Sequence, residues 1–245
     1  MLVSRGTHPK YRRLVSRFMT SEWTDWHKGY AQDTHQARRL GTVQDRIREA
    51  LSRCPEGPIR LLSLCSGDGR DLLGVLRDHP RSTDVRAKLV DSEPRLVAEG
   101  REQVARWRLE HIEFVQADAS DTSACVGAVP ADIILACGIF GNVTDDDVRN
   151  AVRRFPELLA PGGTVIWTRG RFEPDLTPTI RTWFRESGFE ELSWVAIPGS
   201  TASVGAHRLT VPPKPFQPGV RLFTFLPEGS RPSSQAQRKG NKIVS

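Results

Sequence analysis

Cysteine is scarce and scattered. Cys54, Cys65, Cys125 and Cys137 form no C-x-x-C pair in 245 residues, which argues against a zinc cluster or a redox dithiol and predicts reduced, mostly buried thiols with no bound metal. No apolar run approaches the roughly 20 residues of a membrane span. The basic N-terminus also lacks the continuous apolar core of a secretory leader, so a cytoplasmic protein with no membrane partner is expected. There is no internal repeat. Excess positive charge is missing from the body of the chain. Of the net +6, residues 1–20 carry +5 (Arg5, Lys10, Arg12, Arg13 and Arg17) and residues 227–245 carry +3, which leaves −2 for residues 21–226. Phosphate-backbone binding normally needs the opposite balance, so no nucleic-acid partner is expected.

The length suits one sizeable α/β core with appendages. A basic lead, residues 1–20, is expected to be flexible. Residues 21–56 read as a helical cap or lid. In it Trp23, Trp26, His27 and Tyr30 share one helical face, and Leu40, Val43, Ile47 and Leu51 form a second stripe before Pro55, Gly57 and Pro58 break it. From residue 59 strands and helices alternate. Strands are predicted over 59–65, 85–91, 112–116, 131–137 and 164–168, and helices over 70–78, 94–109, 144–159 and 177–187. Pro94 fits a first helical turn, and Thr144 followed by Asp145, Asp146 and Asp147 fits an N-cap with an acidic first turn. The strands are almost continuously apolar, as expected of a parallel sheet buried on both faces. Two further strands are predicted over 189–197 and 220–226. The Pro-, Gly- and Ser-rich stretch between them reads as a long substrate-facing loop. Residues 227–245 read as a disordered tail.

The densest information lies in residues 61–71, Leu-Leu-Ser-Leu-Cys-Ser-Gly-Asp-Gly-Arg-Asp, an apolar strand running through Gly67-x-Gly69 into a helix. Glycines let backbone approach a ligand closely, and helix-start N–H groups face the same point. Asp91, about 20 residues on at the tip of the second strand, suits the two hydroxyls of a ribose. A dinucleotide fingerprint would need a third glycine where Leu72 stands, so that ligand fits less well.

Taken together these residues resemble the class I S-adenosylmethionine-dependent methyltransferases over about residues 59–226. Leu61 to Gly69 match the first motif and Asp91 the acidic strand tip. Gln116-Ala117-Asp118-Ala119 match the adenine turn, Asp132 to Gly138 the fourth motif, and Leu159-Ala-Pro-Gly-Gly the turn before strand five. The resemblance implies a Rossmann-like, seven-stranded, mostly parallel sheet over residues 57–226, with helices on both faces, an antiparallel last strand and an N-terminal helical cap. It implies S-adenosylmethionine as cofactor and a small-molecule acceptor as partner. Cys65, Ser66, Gly67 and Gly69 would lie along the methionine part. Asp91 and Ser92 would hold the ribose, Asp118 and Ala119 the adenine, and Cys137 and Gly138 would flank the sulfonium. Two positions depart from the family pattern: Ser63 stands where an acid is usual in strand one, and Cys65 where the first glycine is usual. Asp68 and Asp71 are the available substitutes for the missing carboxylate.

The acceptor is less legible. Ala136-Cys137-Gly138-Ile139-Phe140-Gly141-Asn142 is not the Pro-Pro-aromatic sequence associated with planar amino groups, and no Pro precedes Cys137 as covalent cytosine methylation would want. Trp26, Tyr30, Phe140, Asn142, His207 and Arg208 are the substrate-side candidates, and His207 and His27 are the only candidate bases. A non-methylating member of the same fold, and RNA methylation aided by the basic tails, are the alternative readings.

Overall fold

Strands that are apolar on both sides need cover on both sides, and helices with one apolar stripe provide it. In the computed structural model, which describes residues 35–227 and Ser230, this produces β1 (Ile59–Leu64), β2 (Val85–Asp91), β3 (Ile112–Gln116), β4 (Ala131–Ala136), β5 (Leu159–Gly170), β6 (Phe189–Ala196) and β7 (Ala202–Leu209). They alternate with α1 (His35–Arg53), α2 (Arg70–Leu76), α3 (Pro94–Trp107), α4 (Asp145–Leu158) and α5 (Thr177–Glu186). The strands form one sheet in the order β3-β2-β1-β4-β5-β7-β6. β1 to β5 pair in parallel, while β7 runs antiparallel to both β5 and β6. The order reverses between β1 and β4, which opens a crevice at their carboxyl ends.

Alternation along each strand divides the core into two layers. Ile59, Leu61, Leu89, Ile133 and Leu135 pack under α1, α2 and α3 through Val43, Ile47, Leu72, Leu73 and Val97. Leu62, Leu64, Val90, Ile134 and Trp167 face α4 and α5 through Val148, Val152, Phe155, Ile180 and Phe184. The helix starts follow the sequence. Thr144 Oγ1 accepts from the Asp147 N–H at 3.1 Å, and Glu93, just before Pro94, accepts from the Arg95 N–H at 3.3 Å. Pairing continues through Pro161-Gly162-Gly163, expected as a plain turn, because β5 already begins at Leu159 and absorbs the extra residues as a bulge opposite Ala131 and Ile133.

The last third corrects the sequence reading. The final antiparallel partner of β5 is Ala202–Leu209, within the stretch expected to be loop, while residues 220–226 make only two isolated bridges, Asp121 with Arg221 and Val143 with Phe225. Ala202–Leu209 looks unlike a strand because its small residues answer a large one elsewhere. A Cβ on Gly205 would lie 2.4 Å from Trp167 Cε2. Residues 220–226 instead form a strap, needed because β3 and β4 are joined by only a short 3-10 turn, Thr122–Cys125, with no covering helix. The strap buries Leu222 and Phe223 in that gap. It is held by the Thr122 N–H on the Val220 carbonyl (3.0 Å), the Leu222 N–H on the Ser120 carbonyl (2.7 Å) and Asn150 Nδ2 on the Leu222 carbonyl (2.8 Å).

Gly205→Ala therefore forces a methyl into a fully buried indole whose neighbours Phe140 and Phe184 sit 5.7 and 5.8 Å away, centroid to centroid. Overpacking of this kind costs about 1–3 kcal/mol. Urea unfolding should show the midpoint fall with an unchanged slope; an unchanged midpoint would refute the packing role given to Gly205.

Candidate active site

The loop after β1 is shaped by three left-handed residues, Cys65 (φ 54°), Gly67 (φ 59°) and Gly69 (φ 75°). Cys65 keeps the glycine conformation without being glycine, at a cost of roughly 1–2 kcal/mol. Gly69 is required for a different reason from the one its motif suggests. A Cβ there would come within 2.6 Å of Phe114 Cζ and 2.7 Å of Leu89 Cδ2, so this glycine lets α2 sit on the sheet. The loop is tied to the neighbouring strand twice: the Ser66 N–H donates to the Val90 carbonyl at 3.0 Å, and the Gly67 N–H donates to Asp91 Oδ2 at 2.7 Å. Asp91 Oδ1 accepts from the Glu93 N–H at 2.9 Å. Burial pushes the Asp91 carboxyl above its ordinary range, and the N–H groups of Glu93 and Gly67 pull it part of the way back. Ser92 beside it is exposed.

At the tip of β3 the Ala117 N–H donates to the Asp91 carbonyl at 3.0 Å, which places Asp118 next to Asp91. Asp118 Oδ1 accepts from the Ser120 N–H (2.9 Å) and hydroxyl (2.6 Å), and Arg221 Nη1 of the strap reaches Asp118 Oδ2 at 3.3 Å. Burial would raise this carboxyl, but the Ser120 hydrogen bonds and the Arg221 charge outweigh it and hold Asp118 below its ordinary range. Ala119 is buried. The Cys65 thiol lies close enough to feel both Asp91 and Asp118, and burial together with those two charges pushes it far up.

At the end of β4 the Gly138 N–H donates to Thr168 Oγ1 at 2.9 Å, Gly138 adopts φ 78°, and no atom lies within 4 Å of where its Cβ would be. Cys137 is buried beside Asp71, with which it shares a hydrogen bond; burial and that carboxylate keep the thiol protonated. Cys65, Ser66, Gly67, Asp91, Asp118, Cys137 and Gly138 thus all fall along the carboxyl edge of β1, β2, β3 and β4.

Several acceptor-side expectations do not survive. Phe140 is fully buried and stacks between Phe155 and Trp167, because its side chain turns into the core below the loop. Asn142 braces the β4 turn, donating from Nδ2 to the Gly138 carbonyl at 2.7 Å. His207 and Arg208 belong to β7, where they pair with Val165 and Thr164 near the start of β5. At about 3.3 Å per residue, that register sets Arg208 roughly 20 Å from the Gly170 end. His207 is 1 % exposed, accepts from Trp167 Nε1 at 3.1 Å through Nδ1 and stacks on Phe184. Arg208 pairs with Glu190 on the surface. Neither can serve the crevice. Trp26, His27 and Tyr30 lie outside the described residues.

Three contributors to the crevice were not anticipated: Thr168, Arg221 and Arg39. The last was detectable. Arg39 stands four residues before Val43 in the buried stripe of α1, the place the sequence reading gave to Leu40, and it is 9 % exposed. No group of His, Cys, Asp and Glu that could hold a metal ion occurs among the described residues, and no helix among them is long and apolar enough to cross a membrane.

Residues 62–165 match a family described as a methyltransferase domain. Among solved structures, the fold is similar to a 1,6-didemethyltoxoflavin N1-methyltransferase from Burkholderia thailandensis, crystallised with its acceptor and S-adenosylhomocysteine (TM-score 0.61, 18 % identity, 86 % of this chain and 94 % of that one). It is also similar to a magnesium protoporphyrin IX methyltransferase from Synechocystis PCC 6803, crystallised with S-adenosylmethionine (TM-score 0.62, 9 % identity, 84 % and 100 %). A third similar structure is a possible exported protein from Bordetella parapertussis (TM-score 0.55, 19 % identity, 69 % and 67 %). No curated protein sequence matches the chain. The match to a methyltransferase domain thus lies on residues 62–165, and the similar structures share the fold of this chain.

The removal of His207 from the chemistry has its own consequence. Burial holds its imidazole down to about 4, against an ordinary value of 6.5, with Glu191 opposing and Arg181 assisting. Below 6.5 the unfolded chain takes up a proton that the folded chain refuses, so stability is full above 6.5 and lost as pH falls toward 4. The loss should reach a few kcal/mol at most. His207→Gln, which keeps an acceptor for Trp167, should flatten the fall of the urea midpoint between pH 6.5 and 4; a slope equal to that of the natural protein would contradict this placement.

Proposed function

We propose that this protein is an S-adenosylmethionine-dependent methyltransferase that moves a methyl group to an oxygen, nitrogen or carbon nucleophile of a small molecule. The observation that carries the reading is the pair of acids at adjoining strand tips, Asp91 tied to the Gly67 N–H at 2.7 Å and Asp118 after it at the tip of β3, on the same carboxyl edge as the open position at Gly138. The residues present fit an adenosyl donor. Asp91 accepts backbone N–H groups on both oxygens, and a carboxylate with about four lone-pair directions keeps acceptor capacity for a ribose hydroxyl. Asp118, held ionised by Ser120 and Arg221, is an acceptor suited to an exocyclic amine, and the Ala119 N–H is the donor suited to the ring.

Held there, the cofactor would supply an electrophilic methyl on a cationic sulfur, the sulfur keeping the carbon–sulfur electron pair as an acceptor's lone pair bonds the methyl carbon. The chain's part is positional. Asp91 and the loop fix the sugar, and the turn braced by Asn142 and Thr168 keeps Gly138 open, so that the acceptor and methyl can align. We assign no general base, since a nucleophile that is already neutral or anionic needs none. A small acceptor also accords with the net −2 of residues 21–226, and the four free cysteines support a cytoplasmic, reducing location.

A second reading, a member of the fold that binds the cofactor without methylating, draws on one observation: Cys65 carries left-handed strain where glycine would carry none. Binding and turnover separate the two. S-adenosylhomocysteine at about 100 times its Kd should raise the melting temperature by roughly 5–10 °C, while NAD should not. Asp91→Asn exchanges a charged acceptor for a neutral one and should weaken S-adenosylhomocysteine by roughly 10- to 100-fold in calorimetry. No melting shift with the natural protein would defeat the proposal. Labelled methyl appearing in no member of a metabolite panel, despite binding, would favour the non-methylating reading.

A further inference from the structure

We infer that Arg221 is a positioning residue for the nucleobase: fixed by the strap, it holds Asp118 so that Oδ2 is the oxygen left for an exocyclic amine. The inference rests on the methyltransferase reading and adds to it a residue 103 positions from the acid it serves.

The two oxygens of Asp118 are not equivalent. Oδ1 accepts twice from Ser120, from its N–H at 2.9 Å and its hydroxyl at 2.6 Å. Among the described residues Oδ2 accepts from Arg221 Nη1 alone, at 3.3 Å. That is just beyond the usual length of such a bond, so Oδ2 keeps most of its acceptor capacity. The same Nη1 donates to Ser120 Oγ at 2.6 Å. Ser120 therefore gives its one hydroxyl proton to Asp118 and takes the guanidinium on a lone pair. Guanidinium, hydroxyl and carboxylate close a ring, and the carboxylate cannot turn without breaking a hydrogen bond to a charged group.

Stability does not account for this arrangement. The Arg221 and Asp118 side chains are 55 and 56 % exposed, and an ion pair that open to water adds little to the fold. Yet the backbone that carries Arg221 is held on both sides. Before it, the Thr122 N–H donates to the Val220 carbonyl at 3.0 Å and the Thr122 hydroxyl accepts from the Val220 N–H at 2.9 Å. Asn150 Nδ2 donates to the carbonyls of Arg221 and Leu222 at 3.2 and 2.8 Å. After it, the Leu222 N–H donates to the Ser120 carbonyl at 2.7 Å, the Leu226 N–H donates to the Asn142 carbonyl at 2.9 Å, and Leu222 and Phe223 are buried. The other acid at hand, Asp121, meets Arg221 through a backbone bridge and spends Oδ1 on the Ser123 N–H at 2.8 Å. The guanidinium is thus directed to Ser120 and Asp118. A firmly carried cation beside a half-used carboxylate at a strand tip orients that carboxylate for a donor from outside the chain.

The test is a double-mutant cycle read by calorimetric titration of S-adenosylhomocysteine into the full chain. Arg221→Gln should weaken binding by roughly 3- to 10-fold, and Arg221→Lys, which keeps the charge and a donor, should recover part of that loss. Added to Asp118→Asn, Arg221→Gln should change the affinity by less than about 2-fold, because the acid it acts on is gone. Where Asp118→Asn alone leaves no measurable uptake, Ser120→Ala opens the same ring and takes its place in the cycle, with a combined loss smaller than the product of the two. S-inosylhomocysteine, which carries a carbonyl in place of the amine, is the second probe. The natural protein should bind it at least about 10-fold more weakly than S-adenosylhomocysteine, and Arg221→Gln should narrow that gap. An Arg221→Gln variant that binds S-adenosylhomocysteine as tightly as the natural protein, or more tightly, would overturn the inference. So would losses that multiply through the cycle, or a natural protein that binds the two probes equally. A fallen urea midpoint for Arg221→Gln with an equal loss for both probes would leave the strap as mere cover and overturn it too. A natural protein that takes up no S-adenosylhomocysteine would instead overturn the methyltransferase reading itself.

Discussion

The crevice depends on the hydrogen bond from the Gly67 N–H to Asp91 Oδ2. It connects the loop after β1 to the tip of β2 through a charged acceptor in a half-buried setting, where such bonds are stronger than their neutral counterparts. Because it fixes Gly67, it also fixes the left-handed run from Cys65 to Gly69 and hence where α2 begins. Because the Ala117 N–H donates to the Asp91 carbonyl, it brings the tip of β3 alongside. The one residue Asp91 thereby organises three strand ends.

The remainder of the molecule holds that edge open. Trp167, fully buried in β5, is enclosed by Phe140, Phe184 and His207, and the bare backbone of Gly205 makes room for it. A rigid β5 places Thr168 under Gly138. On the face lacking a helix between β3 and β4, the strap through Leu222 and Phe223 closes the core and delivers Arg221 to Asp118. Residues 220–226 thus seal apolar area and help hold the Asp118 carboxyl below its ordinary range in one stroke.

The first five strands were legible because burial on both faces leaves an unbroken apolar signal, and the helix starts at Pro94 and Thr144 carry their own punctuation. What escaped depends on distant partners. Ala202–Leu209 reads as loop because Gly205, Ala206 and His207 are shaped by Trp167, some 40 residues earlier, rather than by strand propensity. Residues 220–226 read as a strand but spend their backbone on Ser120, Thr122 and Asn142. Phe140 follows a motif that faces the crevice, yet its ring points the other way, a matter of rotamer that spacing does not encode. The placement of Asp91 and Asp118 was legible because both stand at strand tips, whereas Arg39, Thr168 and Arg221 arrive from three separate elements.

The central claim is that the edge formed by β1, β2, β3 and β4 holds an adenosyl amino acid. Backbone amide NMR of the natural protein during titration with S-adenosylhomocysteine tests it residue by residue. The account predicts saturable shifts concentrated at Ser66, Gly67, Glu93, Ala119 and Gly138, with His207 and Arg208 unmoved. Shifts absent from those amides, or centred on β7, would contradict it.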